Sequence, residues 1–185
     1  MLDKTFERNA ALKPISRDHG VLLVLVQRLR KAASETVQDR IALEREIRSK
    51  FARLVVDYLK DETSSLASLE FSPMVRKEIE SDHANITKEV NNFGKLAKSS
   101  LTSDRFVALA DLIENHVRWD ERIVFPYLQQ EASQSDLVHL ADRTSKLERS
   151  HARPIKALHH SISLDKHAGK AQTCTCADST PSVQQ

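Results

Sequence analysis

Apolar residues recur at steps of three and four along residues 106–127, which is the spacing of one face of an α-helix. Two polar side chains, His116 and Asp120, occupy positions in this apolar stripe. A buried imidazole and a buried carboxylate need hydrogen-bond partners or a metal ion. A His/carboxylate pair on an inward helix face is how helical bundles build metal sites. A structural His–Asp pair is the alternative, and the other helices decide between the two.

The composition favours a single domain built from long helices. The 185 residues include only three Gly and five Pro, and 29% are charged. A net charge of +2 is too balanced to argue for a nucleic-acid or membrane partner, and neither is expected. The longest apolar run, residues 21–26, is too short to span a bilayer, and the first residues show no apolar signal core. We therefore expect a soluble cytoplasmic protein.

Three further amphipathic stretches precede residues 106–127, and each carries a polar residue on its apolar face. Residues from about 16 to 36 predict a helix with His19 at the head of its inward face. Residues from about 39 to 69 predict a second helix, with Glu62 on the apolar side and Tyr58 one turn before it.

The third helix is predicted to begin at Pro73, a residue typical of the first helical position. His83 is the only polar member of its apolar stripe. The fourth helix is predicted to extend to about residue 129, with a kink or an end at Pro126.

Short turns between these long helices predict an all-α fold, an antiparallel up-and-down four-helix bundle over residues 15–131. In such a bundle, residues equally far from a shared turn lie at the same height. At 1.5 Å per residue, the polar residues on the four apolar faces fall within about two turns of one another. This coincidence favours one shared metal centre, formed by His19, Tyr58, Glu62, His83, His116 and Asp120.

Three segments of the chain resemble the hemerythrin-like (HHE cation-binding) domain family. They are Ser16-Arg17-Asp18-His19, Ser81-Asp82-His83, and the run from His116-Val117-Arg118-Trp119-Asp120-Glu121 to Phe125-Pro126, which is close to the family's His-x-x-x-Glu-Glu…Phe-Pro pattern. The resemblance spans residues 14–130 and implies a four-helix bundle that binds non-haem iron. By the same resemblance, the metal ligands would be His19, Glu62, His83, His116 and Asp120.

The chain departs from the family in helix 2, where Tyr58 stands in place of a histidine. A phenolate can bind ferric iron, but a tyrosine in a core is more often packed with its hydroxyl hydrogen-bonded. Some relatives use the carboxylate five residues after the helix 4 histidine, which is Glu121 here. Because Glu121 is turned about 100° from the apolar stripe, the helix phase favours Asp120.

The resemblance implies a cofactor of one or two iron ions, and manganese or zinc suits the same ligands. The expected function is oxygen, nitric oxide or redox sensing, or iron handling, with a small diatomic molecule as ligand. A non-catalytic role is favoured over an enzyme. The alternative is a degenerate bundle that acts as a structural or interaction module without a functional metal.

The ends of the chain are predicted to lie outside the bundle. Residues 1–14 are expected to form an N-terminal arm, and residues 132–153 an additional helix broken by Pro154. Residues 154–185, rich in Ser, Thr and Gln, are expected to form a flexible tail. This tail holds Cys174 and Cys176, the only cysteines, so no disulfide framework is expected.

Overall fold

The computed structural model describes residues 7–147, which form an all-helical fold. Helix accounts for 84% of these residues, and they contain no β-strand, so the predicted all-α class is confirmed. None of the described helices combines the length and the apolar character needed to cross a membrane. The predictions for Pro154 and for the tail fall outside the described residues.

Five helices make up the described part of the chain, and two of them contain a π-helical turn. In chain order the segments are α1 (Lys13–Ser34), α2 (Val37–Glu46), a π-helical turn (Ile47–Phe51), α3 (Ala52–Leu66), α4 (Pro73–Phe93), α5 (Ser103–Trp119), a second π-helical turn (Asp120–Val124), α6 (Phe125–Glu131) and α7 (residues 134–147). The segments α2 and α3 belong to one continuous helix, as do α5 and α6.

The predicted apolar stripes are the buried faces of the helices. Helix α1 packs along α5 and α3 packs along α4, with further contacts between α4 and α5. Burying a large apolar side chain, such as that of Leu, Ile or Phe, stabilises the fold by about 1.5–3 kcal/mol. The largest fully buried side chains include Leu22, Leu25, Leu29, Ile47, Phe51, Ile86, Phe106, Ile113 and Phe125.

The second π-helical turn changes which residues after Asp120 face the interior. With one extra residue in the turn, Val124 and Phe125 are at most 1% exposed, whereas Ile123 is 59% exposed. The next buried position is Leu128 rather than Tyr127. The sequence leaves Ile123 and Val124 as alternatives and places Tyr127 next in the stripe; the structure buries Val124, and Leu128 takes the place of Tyr127.

The helix does not end at Pro126 but continues to Glu131. In the π-helical turn, the N–H of Phe125 donates to the carbonyl of Asp120, five residues back. In the same register Pro126, which has no N–H, would face the carbonyl of Glu121. Arg8 Nη2 donates to that carbonyl instead, at 3.0 Å. The π-helical turn and Arg8 together accommodate the proline within a continuous helix.

Residues 7–12 pack against α6 and α7. The sequence predicts an N-terminal arm for residues 1–14 instead. Leu12 is fully buried. The backbone N–H of Asn9 donates to Gln129 Oε1 at 3.0 Å. Thr144 Oγ1 of α7 donates to the carbonyl of Ala11 at 2.9 Å. These contacts join the segment before α1 to α6 and α7.

The burial of Leu12 can be tested by truncation. We expect Leu12→Ala to lower the free energy of unfolding by about 2–5 kcal/mol, because it leaves a cavity in a packed interior. Met74→Ala, which truncates a side chain that is 70% exposed, should change it by less than about 0.5 kcal/mol. Urea unfolding followed by circular dichroism measures both. Equally small effects of both substitutions would show that residues 7–12 do not pack against the rest of the fold.

Candidate metal centre

Polar side chains from four helices meet in the interior of the described fold. Each of them is at most 5% exposed. The cluster consists of His19 from α1, Tyr58 and Glu62 from α3, His83 from α4, His116 from α5, and Asp120 from the π-helical turn. Four of these residues, His19, Glu62, His116 and Asp120, offer ligand atoms that all lie within 4.8 Å of one another.

The separations between these atoms suit a shared cation. Asp120 Oδ2 lies 3.5 Å from His19 Nε2 and 3.4 Å from His116 Nε2. Glu62 places Oε1 3.9 Å from His19 Nε2 and Oε2 3.9 Å from His116 Nε2. His83 Nε2 lies 3.5 Å from Glu62 Oε2. Metal bonds of about 2.0–2.2 Å place neighbouring ligand atoms roughly 3–4 Å apart, so the cluster has the dimensions of a metal site.

The inward-facing atoms of the cluster have no hydrogen-bond partner among the described residues. An unsatisfied polar atom in a protein interior is rare and costs about 1–3 kcal/mol. The atoms are His19 Nε2, Tyr58 Oη, Glu62 Oε1 and Oε2, His83 Nε2, His116 Nε2 and Asp120 Oδ2. A cation among them would satisfy the nitrogen and carboxylate atoms together, so the residues present fit a metal ion.

Two of the imidazoles are bound on their outer side by carboxylates. Nδ1 of His19 lies 2.7 Å from Glu121 Oε1, and Nδ1 of His116 lies 2.8 Å from Asp82 Oδ2. An ionised carboxylate only accepts hydrogen bonds, so each Nδ1 is the donor. Metal-binding histidines typically donate their second N–H in this way, which orients the ring and leaves Nε2 for the metal.

The third imidazole, His83, is oriented by a hydroxyl. Thr63 Oγ1 donates its proton to the carbonyl of Leu59 at 2.8 Å. Its oxygen therefore accepts a hydrogen bond from His83 Nδ1, which lies 2.7 Å away. Burial, together with the neighbouring His116, lowers the pKa of His83 to about 4. The neutral ring thus presents the lone pair of Nε2 to the centre of the cluster.

The other ionisable groups of the cluster shift one another's pKa values. Burial and the charge of Asp120 raise the pKa of Glu62. Burial lowers the pKa of His19, but the carboxylates of Asp120, 3.5 Å from Nε2, and of Glu121, bound to Nδ1, outweigh it and raise the pKa to about 10. The raised pKa values of Glu62 and His19 favour the protonated form of each group. A metal ion would replace these protons, since metal ligands must be deprotonated.

Glu121 lies outside the ring of inward-facing atoms. Its Oε1 accepts hydrogen bonds from His19 Nδ1 at 2.7 Å and from Ser16 Oγ at 2.6 Å. Its side chain is 26% exposed, whereas that of Asp120 is 2% exposed. Asp120 therefore faces the centre, and Glu121 supports the His19 ring from behind.

Tyr58 lies at the level of the cluster, as its position in the apolar stripe predicts. Its ring meets the His19 ring edge to face, with centroids 5.8 Å apart. Burial, and then the charges of Glu62 and Asp120, raise the pKa of Tyr58 well above its usual range. The phenol is therefore protonated in the metal-free protein.

Sequence reasoning missed the outer residues that hold the imidazoles. Asp82 had a usable signal, because it directly precedes His83 in the Ser81-Asp82-His83 segment. Thr63 and Arg8 had none, since hydroxyl and guanidinium groups are common on helix surfaces and in chain ends. Their roles depend on contacts between separate segments.

Comparison with protein-family models, with curated proteins and with solved structures finds no match to this chain. The function is therefore inferred from the geometry and chemistry of the centre.

The placement of the two adjacent carboxylates leads to a prediction about metal affinity. We expect Asp120→Asn to weaken metal binding by more than about 100-fold, because it removes an inward oxygen anion. Glu121→Gln should weaken it by about 10–100-fold, because it affects only the orientation of His19. Competition with a chelator measures both constants. The reverse order would identify Glu121 as the ligand.

Proposed function

We propose that this protein is a hemerythrin-like metal-binding protein whose buried centre binds a non-haem transition-metal ion, with iron as the native metal. One observation carries the proposal: seven buried polar atoms converge without hydrogen-bond partners among the described residues. Three of the seven are imidazole nitrogens and three are carboxylate oxygens. A fold that leaves so many polar atoms unsatisfied in its interior needs a ligand there.

The corresponding architecture is an antiparallel up-and-down four-helix bundle, formed by α1, α2–α3, α4 and α5–α6. Its support is that every one of these helices contributes to the centre at a single level. Di-iron bundles build their sites in this way, with carboxylates and histidines projecting inward from facing helices. The segments that resemble the hemerythrin-like family carry the residues of the cluster.

The ligand set suits iron and is compatible with manganese or zinc. Imidazole and carboxylate ligands together are typical of these metals, and the centre offers no cysteine. His19, Glu62, His83, His116 and Asp120 would hold one ion, and an ion with these ligands could bind a further small ligand. The two oxygens of Glu62 face different imidazoles, an arrangement that suits a bridge to a second ion.

Bound iron would supply one-electron chemistry and a coordination position for a small diatomic ligand such as oxygen or nitric oxide. The protein's own residues bind the ion, orient the imidazoles through their outer hydrogen bonds, and exclude bulk water by burial. We propose a function in oxygen, nitric oxide or redox sensing, or in iron handling, rather than in catalysis.

Metal content is the direct test of this function. Protein expressed in iron-supplemented cells should retain about one or two iron ions per chain. His116→Ala should lose most of this iron, because it removes a nitrogen ligand from the centre. His139→Ala is the matched control, because His139 is exposed on α7 and should leave the iron content unchanged. Elemental analysis of the purified proteins gives the numbers.

The opposite result is equally informative. Folded wild-type protein that holds no metal after expression and after reconstitution with ferrous iron would contradict the proposal. The bundle would then be a structural or interaction module, stabilised by the proton-mediated contacts of the metal-free cluster.

The role of Tyr58 can be decided by its spectrum. A phenolate bound to ferric iron gives a visible charge-transfer band, but burial and two carboxylates oppose the loss of the phenol proton. We therefore expect the spectrum of the oxidised protein to be the same in Tyr58→Phe and wild type. A band that is present in wild type, fades on reduction and is absent from Tyr58→Phe would show that the phenolate binds the metal.

A further inference from the structure

Arg8 contacts the outer side of the candidate metal centre in three ways. Its Nη2 donates to the carbonyl of Glu121 at 3.0 Å and also to the carboxylate Oε2 of the same residue. Its guanidinium carbon lies 4.9 Å from the centroid of the Phe125 ring. The Phe125 ring in turn stacks on the His19 ring, with centroids 5.4 Å apart and planes 5° apart. One side chain thus reaches His19 through two different neighbours.

The two carboxylate oxygens of Glu121 accept hydrogen bonds from different residues. Its Oε1 accepts from His19 Nδ1 and from Ser16 Oγ, while its Oε2 accepts from Arg8. The ion pair is partly buried, with side chains 22% and 26% exposed, so solvent screens it less than a surface pair. Without the guanidinium, the carboxylate is free to turn toward water and away from His19.

The backbone at Glu121 also depends on Arg8. Its carbonyl is the one that Pro126, lacking an N–H, cannot satisfy in the π-helical register. Arg8 supplies the donor and thereby stabilises the turn that points Asp120 inward and Glu121 toward α1. The guanidinium suits this double contact, because it presents several N–H donors in one plane.

We propose that Arg8 is a positioning residue of the metal centre, which holds Glu121 and through it the orientation of the His19 ring. The inference rests on the proposed metal binding. It makes residues 7–12 a part of the centre, since Asn9 and Leu12 fix this segment against the rest of the fold. The His116 ring is an internal control for the His19 ring, because its outer partner, Asp82, belongs to α4.

The test compares Arg8→Met with Lys13→Met in the full-length protein. Methionine keeps an apolar stem over Phe125 and removes the donors. Lys13→Met is the control, because it also removes one positive charge close to Arg8 in the sequence. Lys13 Nζ lies 3.7 Å from the exposed Glu7. The first measurement is solvent exchange of the imidazole Nδ1–H protons in metal-free protein by nuclear magnetic resonance. The second is the rate at which Co²⁺ dissociates from the loaded protein.

We expect Arg8→Met to accelerate exchange of the His19 Nδ1–H proton and to leave exchange of the His116 proton unchanged. Co²⁺ should dissociate about 10-fold faster, which is the lower end of effects from outer residues. Lys13→Met should match wild type in both measurements. If Arg8→Met does not fold, Arg8→Lys replaces it; its single ammonium cannot reproduce the planar fork and should show the same effect on His19, at smaller size.

Equal acceleration at His19 and His116 would overturn the inference, because it would show general loosening of the fold. An Arg8→Met protein that matches wild type, or a Lys13→Met protein that matches Arg8→Met, would overturn it as well. A wild type that takes up no Co²⁺ contradicts the proposed metal binding itself. The two failures are therefore distinguishable.

Discussion

The structure depends on a cluster of charge that the fold keeps away from water. Three imidazoles and two carboxylates are almost completely buried, and their inward atoms face one another without hydrogen bonds among the described residues. Several kcal/mol of desolvation would make such a cluster costly if its charges were not balanced. The neighbouring carboxylates raise the pKa of His19 to about 10, which favours its protonated form. In the proposed metal centre, a cation would balance them by contacting the nitrogen and oxygen atoms directly.

The outer hydrogen bonds of the imidazoles also organise the helices around the cluster. Each bond joins a histidine of one segment to a partner on another, so orienting a ring and holding two helices together are the same interaction. The links run from α1 to the π-helical turn, from α5 to α4, and from α4 to α3, through the pairs His19–Glu121, His116–Asp82 and His83–Thr63. We infer that the loss of one outer partner disturbs both the ring and the packing between the helices.

The all-α class and the convergence of the cluster could be predicted because both follow from periodicity. His116 and Asp120 stand out in the sequence since they interrupt an apolar face at the spacing of that face. The buried positions after Asp120 could not be predicted, because a π-helical turn adds one residue without changing the local composition. Ile123 looks as suitable for the core as Val124, yet only Val124 is buried. The four-helix arrangement itself remains a proposal supported by the level of the cluster.

The part played by Arg8 was beyond prediction for a different reason. It lies 113 residues from Glu121, in a segment without periodicity, and its contact exists only because two local features coincide. Pro126 removes a backbone donor, and the π-helical turn leaves the carbonyl of Glu121 facing that gap. A carbonyl and a carboxylate of one residue then form an acceptor pair that a guanidinium can satisfy. The same π-helical turn that orients Asp120 therefore leaves a backbone carbonyl that requires a donor from another segment. Arg8 supplies this donor and joins residues 7–12 to the centre.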